Sequence, residues 1–282
     1  MSAGRLGWFR SLTLVSAFTA RQISWSRRTA FMVFLLLVPT GIAILIRHQA
    51  PPGTIAEFMK EGLPSILLGI IQLMCLFHGA GLVRDGMEDK TLQYLLTRPI
   101  GRSRVVFGLY SGMLSYILPL GLVSAAAGFV ACRAGLPMGI FAGPDQTAMF
   151  IRLLAITALV IVFYGALYTL FGLVFRMPTI IALISLVVVD GILGSMPGPP
   201  RLISPLAYFE VLLTRAPDPA ATDDARDFVF ETRASASRIH ETLEISHSTA
   251  FIVLGVAFFG ILFLMHYLSR GKDFIVFAKK QP

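Results

Sequence analysis

Six apolar stretches, at 30–46, 64–83, 105–132, 149–175, 178–194 and 249–269, take up much of this 282-residue chain. Each is near the length of about 20 residues that a helix needs to cross a bilayer. A helix satisfies its own backbone hydrogen bonds where lipid cannot, so the expected fold is an all-α integral membrane protein with six transmembrane helices. Composition agrees: 55% of residues are hydrophobic, 14% are charged, and the mean hydropathy is +0.74. The third and fourth stretches are longer than a bilayer requires, which predicts tilt or interfacial turns at their ends. Pro39 predicts a kink in the first. A long preface and the lack of a small-x-small site after that stretch mark it as a retained anchor rather than a cleaved signal.

Basic residues set the orientation. With the N-terminus in the cytoplasm, the inside segments hold Arg5, Arg10, Arg21, Arg27, Arg28, Arg84, Lys90, Arg98, Arg102, Arg104, Arg176, Arg270, Lys272, Lys279 and Lys280. The short outside loops and their edges hold only Arg47, Lys60, Arg133 and Arg152. Long loops translocate largely regardless of charge, so the bases of 195–248 do not enter this comparison. Both termini are therefore expected in the cytoplasm. The net charge of +8 is scattered through these gaps and forms no single patch, so nucleic acid is not an expected partner. Cys75 and Cys132 lie in or beside apolar stretches and read as small apolar fillers, not a disulfide framework.

Ahead of the first span, residues 1–29 form a cytoplasmic N-terminus. Trp8, Phe9, Leu12, Val15, Phe18, Ile23 and Trp25 alternate there with arginines and hydroxyl residues, as in an amphipathic helix lying in the membrane interface. A basic anchor that only fixes topology is the plainer reading. The loop 195–248 is expected outside. Its first half is broken by prolines, and 201–209 reads as a short re-entrant or interfacial turn. Its second half regains a helical period through Ala225, Phe228, Thr232, Ala236, Ile239 and Leu243. That helix could cover the outer mouth, receive an extracytoplasmic protein, or simply pack on its neighbours.

Several constellations need weighing. His240, Glu244 and His247 recur at i, i+4 and i+7, a spacing open to a divalent metal, although a solvated helix face explains them equally. Position 244 is not histidine, so the His-Glu-x-x-His pattern of zinc proteases is absent. Asp190 is the one acid well inside a span and requires a partner, such as Arg152 or Arg201 in an interfacial ion pair. Gly108 and Gly112 give a G-x-x-x-G that permits close helix contact and a dimer. Ser195 and His266 fall at opposite predicted span ends, so they cannot act together as nucleophile and base. No Walker-type phosphate loop occurs in the sequence, so any nucleotide chemistry belongs to another chain.

The remaining soluble device is the segment 84–104, expected as a cytoplasmic loop between spans two and three. Asp85, Glu88 and Asp89 come first and suit a helix N-terminus. Leu92, Leu95 and Leu96 share one side, and Arg98 followed by Pro99 suits a helix end. Such a helix is too short to span and must lie against something. It could seat in a partner's groove, or pack only on lipid and its own spans.

Arg84-Asp85, Glu88, Thr91-Leu92, Tyr94-Leu95-Leu96, Arg98-Pro99-Ile100, Arg102 and Gly108 closely resemble the cytoplasmic coupling loop of type-2 ABC transporter permeases. The resemblance is detailed over about thirty residues. It extends loosely to the whole chain through the six-span plan, the basic amphipathic N-terminus and the long loop after the fifth span. Within the family, the single-chain permeases that accompany nitrous oxide reductase maturation are the most similar. Lys90 stands where a glycine is usual, and Tyr110 near where a lysine is frequent. The resemblance implies a bacterial inner-membrane permease domain covering 1–282, with a cytoplasmic tail at 270–282. It implies no enzyme and no cofactor in this chain, with ATP and Mg on two partner ATPase subunits docked at the coupling helix. A second copy or a related permease is the implied membrane partner. Against this transporter reading stand a non-transporting scaffold whose outer loop recruits a partner and, disfavoured by the missing catalytic groups, an intramembrane enzyme.

Overall fold

The computed structural model describes residues 8–24, 27–49, 51–88, 102–134, 144–196, 199–213 and 246–271. These are almost wholly helical, as the apolar runs require. In chain order the helices are α1 (Trp8–Ser24), α2 (Arg27–Gln49), α3 (Pro52–Glu57), α4 (Leu63–Glu88), α5 (Arg102–Arg133), α6 (Pro144–Val174), α7 (Pro178–Ile184), α8 (Pro205–Leu213) and α9 (His247–Gly271). A π-helical turn over Phe58–Gly62 joins α3 to α4, and another, Ser185–Leu193, extends α7. A 3-10 turn, Pro199–Ile203, precedes α8.

Among the described residues, five segments are long and apolar enough to cross a membrane: Thr29–Gln49, Phe58–Leu82, Ser103–Arg133, Gln146–Val174 and His247–Ser269. They fall on the expected first, second, third, fourth and sixth spans. The stretch expected as the fifth forms a shorter apolar helix, Pro178–Leu193. The helix α2 runs through Pro39, and α5 through Pro119.

The chain divides into two compact units, Met1–Ala182 with Phe258–Pro282, and Leu183–Ala257. In the first, α4 packs chiefly on α6 and α1 on α5, while α5 also contacts α2, α4 and α6. The α4 side chains Leu63, Leu67, Ile71 and Met74 repeat at helical spacing and are fully buried, and they form the centre of the bundle. Facing elements contribute Met113, Ile117, Leu153, Val160, Tyr164 and Tyr168. Phe31, Phe34 and Leu37 of α2 and Phe259, Phe263 and Tyr267 of α9 stay exposed, the outward apolar face that lipid-embedded helices carry. Ser124 Oγ donates to the Leu36 carbonyl at 2.6 Å and so ties α5 to α2. Cys75 and Cys132 are buried and unbridged.

In the second unit the π-helical turn, the 3-10 turn and α8 contact one another as a helical hairpin, and the unit also holds the first part of α9. Ala207, Tyr208, Phe209 and Leu212 of α8 are buried. Tyr208 Oη donates to the Leu202 carbonyl at 2.9 Å and closes the turn.

Candidate functional site

The helices α4 and α5, which flank residues 89–101, are each held by close packing. On α4, Gly79 approaches α6 so tightly that an added Cβ would lie 3.0 Å from Tyr168 Cβ and 3.3 Å from the Thr169 backbone nitrogen. A methyl there would need its neighbours to give by a few tenths of an ångström, so the two helix backbones lie close together. On α5, Tyr110 Oη donates to the Val162 carbonyl of α6 at 2.8 Å. The same helix carries Gly112, whose absent Cβ would sit 2.6 Å from the Ser16 carbonyl oxygen and 2.6 Å from Thr19 Cβ, both on α1. Val15, Thr19 and Ile23 are the buried edge of α1, at i, i+4 and i+8. Thr19 turns its hydroxyl inward to the Val15 carbonyl at 2.8 Å, which leaves no unpaired donor at the contact. Leu14 and Phe18 lie on the exposed side.

The segment itself lies largely outside the described residues. Thr91, Leu92, Tyr94, Leu95, Leu96, Arg98 and Pro99 fall there, while its ends do not. Asp85 and Glu88 belong to the last turn of α4, and Arg102 opens α5. The sequence reading placed these two acids at the start of a separate helix. Instead α4 runs on through Glu88, because no proline interrupts the chain before Pro99.

Gly108 and Gly112 are both buried. The close contact at Gly112 is made within the chain, to α1; the sequence reading had offered this pair to a second copy.

Asp190 is 7% exposed within the second π-helical turn. Its Oδ1 accepts from Ser204 Oγ at 2.8 Å and from the Leu206 backbone N–H at 3.4 Å. Leu206 lies in the first turn of α8, whose N–H groups have no acceptor inside the helix. A carboxylate at that end is doubly favoured, by the hydrogen bonds and by the positive pole of the helix. Gly194 lets the two arms close, since an added Cβ would be 3.0 Å from Ser204 Oγ. Arg201 forms an ion pair with Glu210 at 3.1 Å. Arg152 stands half-exposed on α6. The Ser204–Pro205 pair carries a helix-start signal, serine at the cap and proline first, that the reading of 201–209 as a turn passed over; the reach from Asp190 across fourteen residues has no such signal.

Of the proposed metal trio, His247 opens α9, while His240 and Glu244 lie outside the described residues. Among the described residues no group of three or more His, Cys, Asp or Glu side chains could hold a metal ion. Ser195 Oγ donates to the Ile192 carbonyl of its own helix at 2.9 Å.

A bundle of long apolar helices, with an amphipathic helix docked beside it, defines a multi-pass membrane protein. The family model described as ABC-2 family transporter protein matches residues 49–212, and the chain belongs to that family. No curated protein matches it. Membership makes the chain a transmembrane subunit of an ABC transporter, a permease, and implies association with ABC ATPase subunits.

Proposed function

We propose that this chain is the permease of an ATP-driven exporter or conformational transducer, moved by two separate ATPase subunits seated on the segment from Asp85 to Arg102. The observation that carries the reading is the family match, which runs across the whole of that segment. Leu92, Leu95 and Leu96 provide an apolar ridge for a groove on the ATPase, with Thr91 and Tyr94 beside it. Asp85, Glu88, Arg98 and Arg102 supply rim charges that fix orientation, and Pro99 ends the ridge before α5 begins. ATP and Mg2+ bind on the motor, and this chain carries no catalytic group. Closure of the motors pushes on α4 and α5. Through Gly79 the push reaches α6, because packed helices shift as bodies and do not deform continuously.

A second copy, or a related permease, completes the membrane assembly, with both termini in the cytoplasm of a bacterium's inner membrane. Pro178–Leu193 serves as the fifth crossing. At ~1.5 Å per residue it spans at most about 24 Å, short of a ~30 Å hydrocarbon core. The hairpin tied by Asp190 then sits at membrane depth on the outer side, and the Asp190–Ser204–Leu206 contacts satisfy the polar groups that lipid would leave unpaired. The remainder of 195–248 is offered to an extracytoplasmic partner.

The test is to replace Leu95 and Leu96 together by aspartate in the tagged full-length chain. A Walker-motif ATPase should copurify with the unaltered protein from its native membrane and be lost from the Leu95→Asp, Leu96→Asp variant. An ATPase retained by the variant would refute docking at this ridge.

A further inference from the structure

Thr29 and His78 form a buried polar bridge that none of the roles above uses. Thr29 lies in the first turn of α2, just past the end of α1, and is 1% exposed; His78 of α4 is 9% exposed. Thr29 Oγ1 donates to the carbonyl of Ile23, near the last residue of α1, at 2.5 Å. The same hydroxyl oxygen is 3.2 Å from His78 Nε2. The other ring nitrogen, Nδ1, is 3.0 Å from the Met74 carbonyl one turn back on α4. A carbonyl can only accept, so Nδ1 donates there. That bond pins the imidazole to its own helix and makes Nε2 an acceptor, so the one Thr29 hydroxyl proton is shared between the Ile23 carbonyl and His78 Nε2.

The bridge therefore joins three elements at one point: the end of α1, the start of α2 and the half of α4 that leads into the coupling segment. Elsewhere α4 docks chiefly on α6 and α1 on α5, with a smaller direct contact between α2 and α4. His78 precedes Glu88 by ten residues, about 15 Å along a helix. Apolar side chains in contact can slide past one another. Hydrogen bonds cannot, because they weaken steeply with distance and angle, and in a dry interior they are stronger than in water. A rotation or sideways shift of α4 thus either takes the α1–α2 corner with it or breaks the bridge outright.

We propose that the His78–Thr29 bridge carries the displacement of α4 to α1, and that His78 is a positioning residue for the coupled movement. This rests on the reading that an ATPase pushes the segment after α4. An environment-sensitive fluorophore on Leu14→Cys, an exposed site of α1, reports the movement in the purified complex with its ATPase. Cys75 and Cys132 are buried, and the unsubstituted chain supplies the labelling background.

The emission change on adding ATP with vanadate should fall by about fivefold or more in Thr29→Val, a substitution that keeps the shape but removes the hydroxyl. Thr29→Ser, which keeps the hydroxyl, should restore it. His78→Phe should reproduce the loss, and this covers the case in which Thr29→Val does not fold. An undiminished response in a folded Thr29→Val or His78→Phe complex would overturn the proposal, as would an α1 that never responds in the unaltered complex. Copurification of the ATPase, scored on the same samples, separates the two ideas: a complex that holds its motor but shows no response sinks only the bridge, whereas no motor at all sinks the docking reading.

Discussion

Gly112 shows how one missing side chain decides where α1 lies. The Ser16 carbonyl is backbone and cannot swing aside, so a larger residue there must push α1 off α5. Gly112→Val is expected to destabilise the purified protein by about 1–3 kcal/mol, as overpacking of a tight contact does. A thermal unfolding series with Gly112→Ala as the milder member checks this; equal midpoints for all three would mean that α1 is not docked there. Asp190 makes a second residue-scale prediction. Asp190→Asn retains an acceptor oxygen for Ser204 and Leu206, whereas Asp190→Leu leaves both donors buried and unanswered, about 1–3 kcal/mol for each. Hydrogen exchange over 205–213 should therefore rise in the leucine variant and stay near the unaltered level in the asparagine one.

Among the elements, α4 and α6 form the firmest pair, and Gly79 is its point of closest approach. Gly79→Val should lower the thermal midpoint and also shrink any movement passed from the coupling segment to α6, readable as a reduced ATP-dependent change at a probe on that helix. An unaltered midpoint would show that the helices stand further apart than 3.0 Å contacts imply. Much at this scale was legible in the sequence. The long apolar runs marked five of the helices because lipid admits little else, and the mixed residues of 8–24 marked α1 because its arginines and hydroxyls exclude a spanning role. Contacts between distant positions were not legible. Gly112 read as a pairing motif because spacing shows that a helix can be approached closely but not by what. The Ser204 hydroxyl on Asp190 was not foreseen, because fourteen residues of intervening chain hide that neighbour. Nothing in the order of residues brings Thr29 to His78.

For the whole molecule, the central idea is mechanical. On the proposed function, a bundle with no Walker phosphate loop in its sequence is moved from one end by another protein, and its internal ties determine which helices follow. The shortness of Pro178–Leu193 makes this account testable for topology as well. A cysteine placed at Ile203, which is exposed, should react with a membrane-impermeant maleimide added from outside, and one at Met177 only after the membrane is permeabilised. The reverse pattern would invert the topology and move the coupling segment away from any cytoplasmic ATPase.

Native mass spectrometry of the detergent-extracted complex asks most directly whether this permease is driven by a second gene's motor. The account predicts an assembly of two membrane chains and two ATPase chains that falls to the membrane chains alone when Leu95 and Leu96 become aspartate. A protein that keeps its full biological activity while running only as itself, with no ATPase mass ever attached, would contradict it.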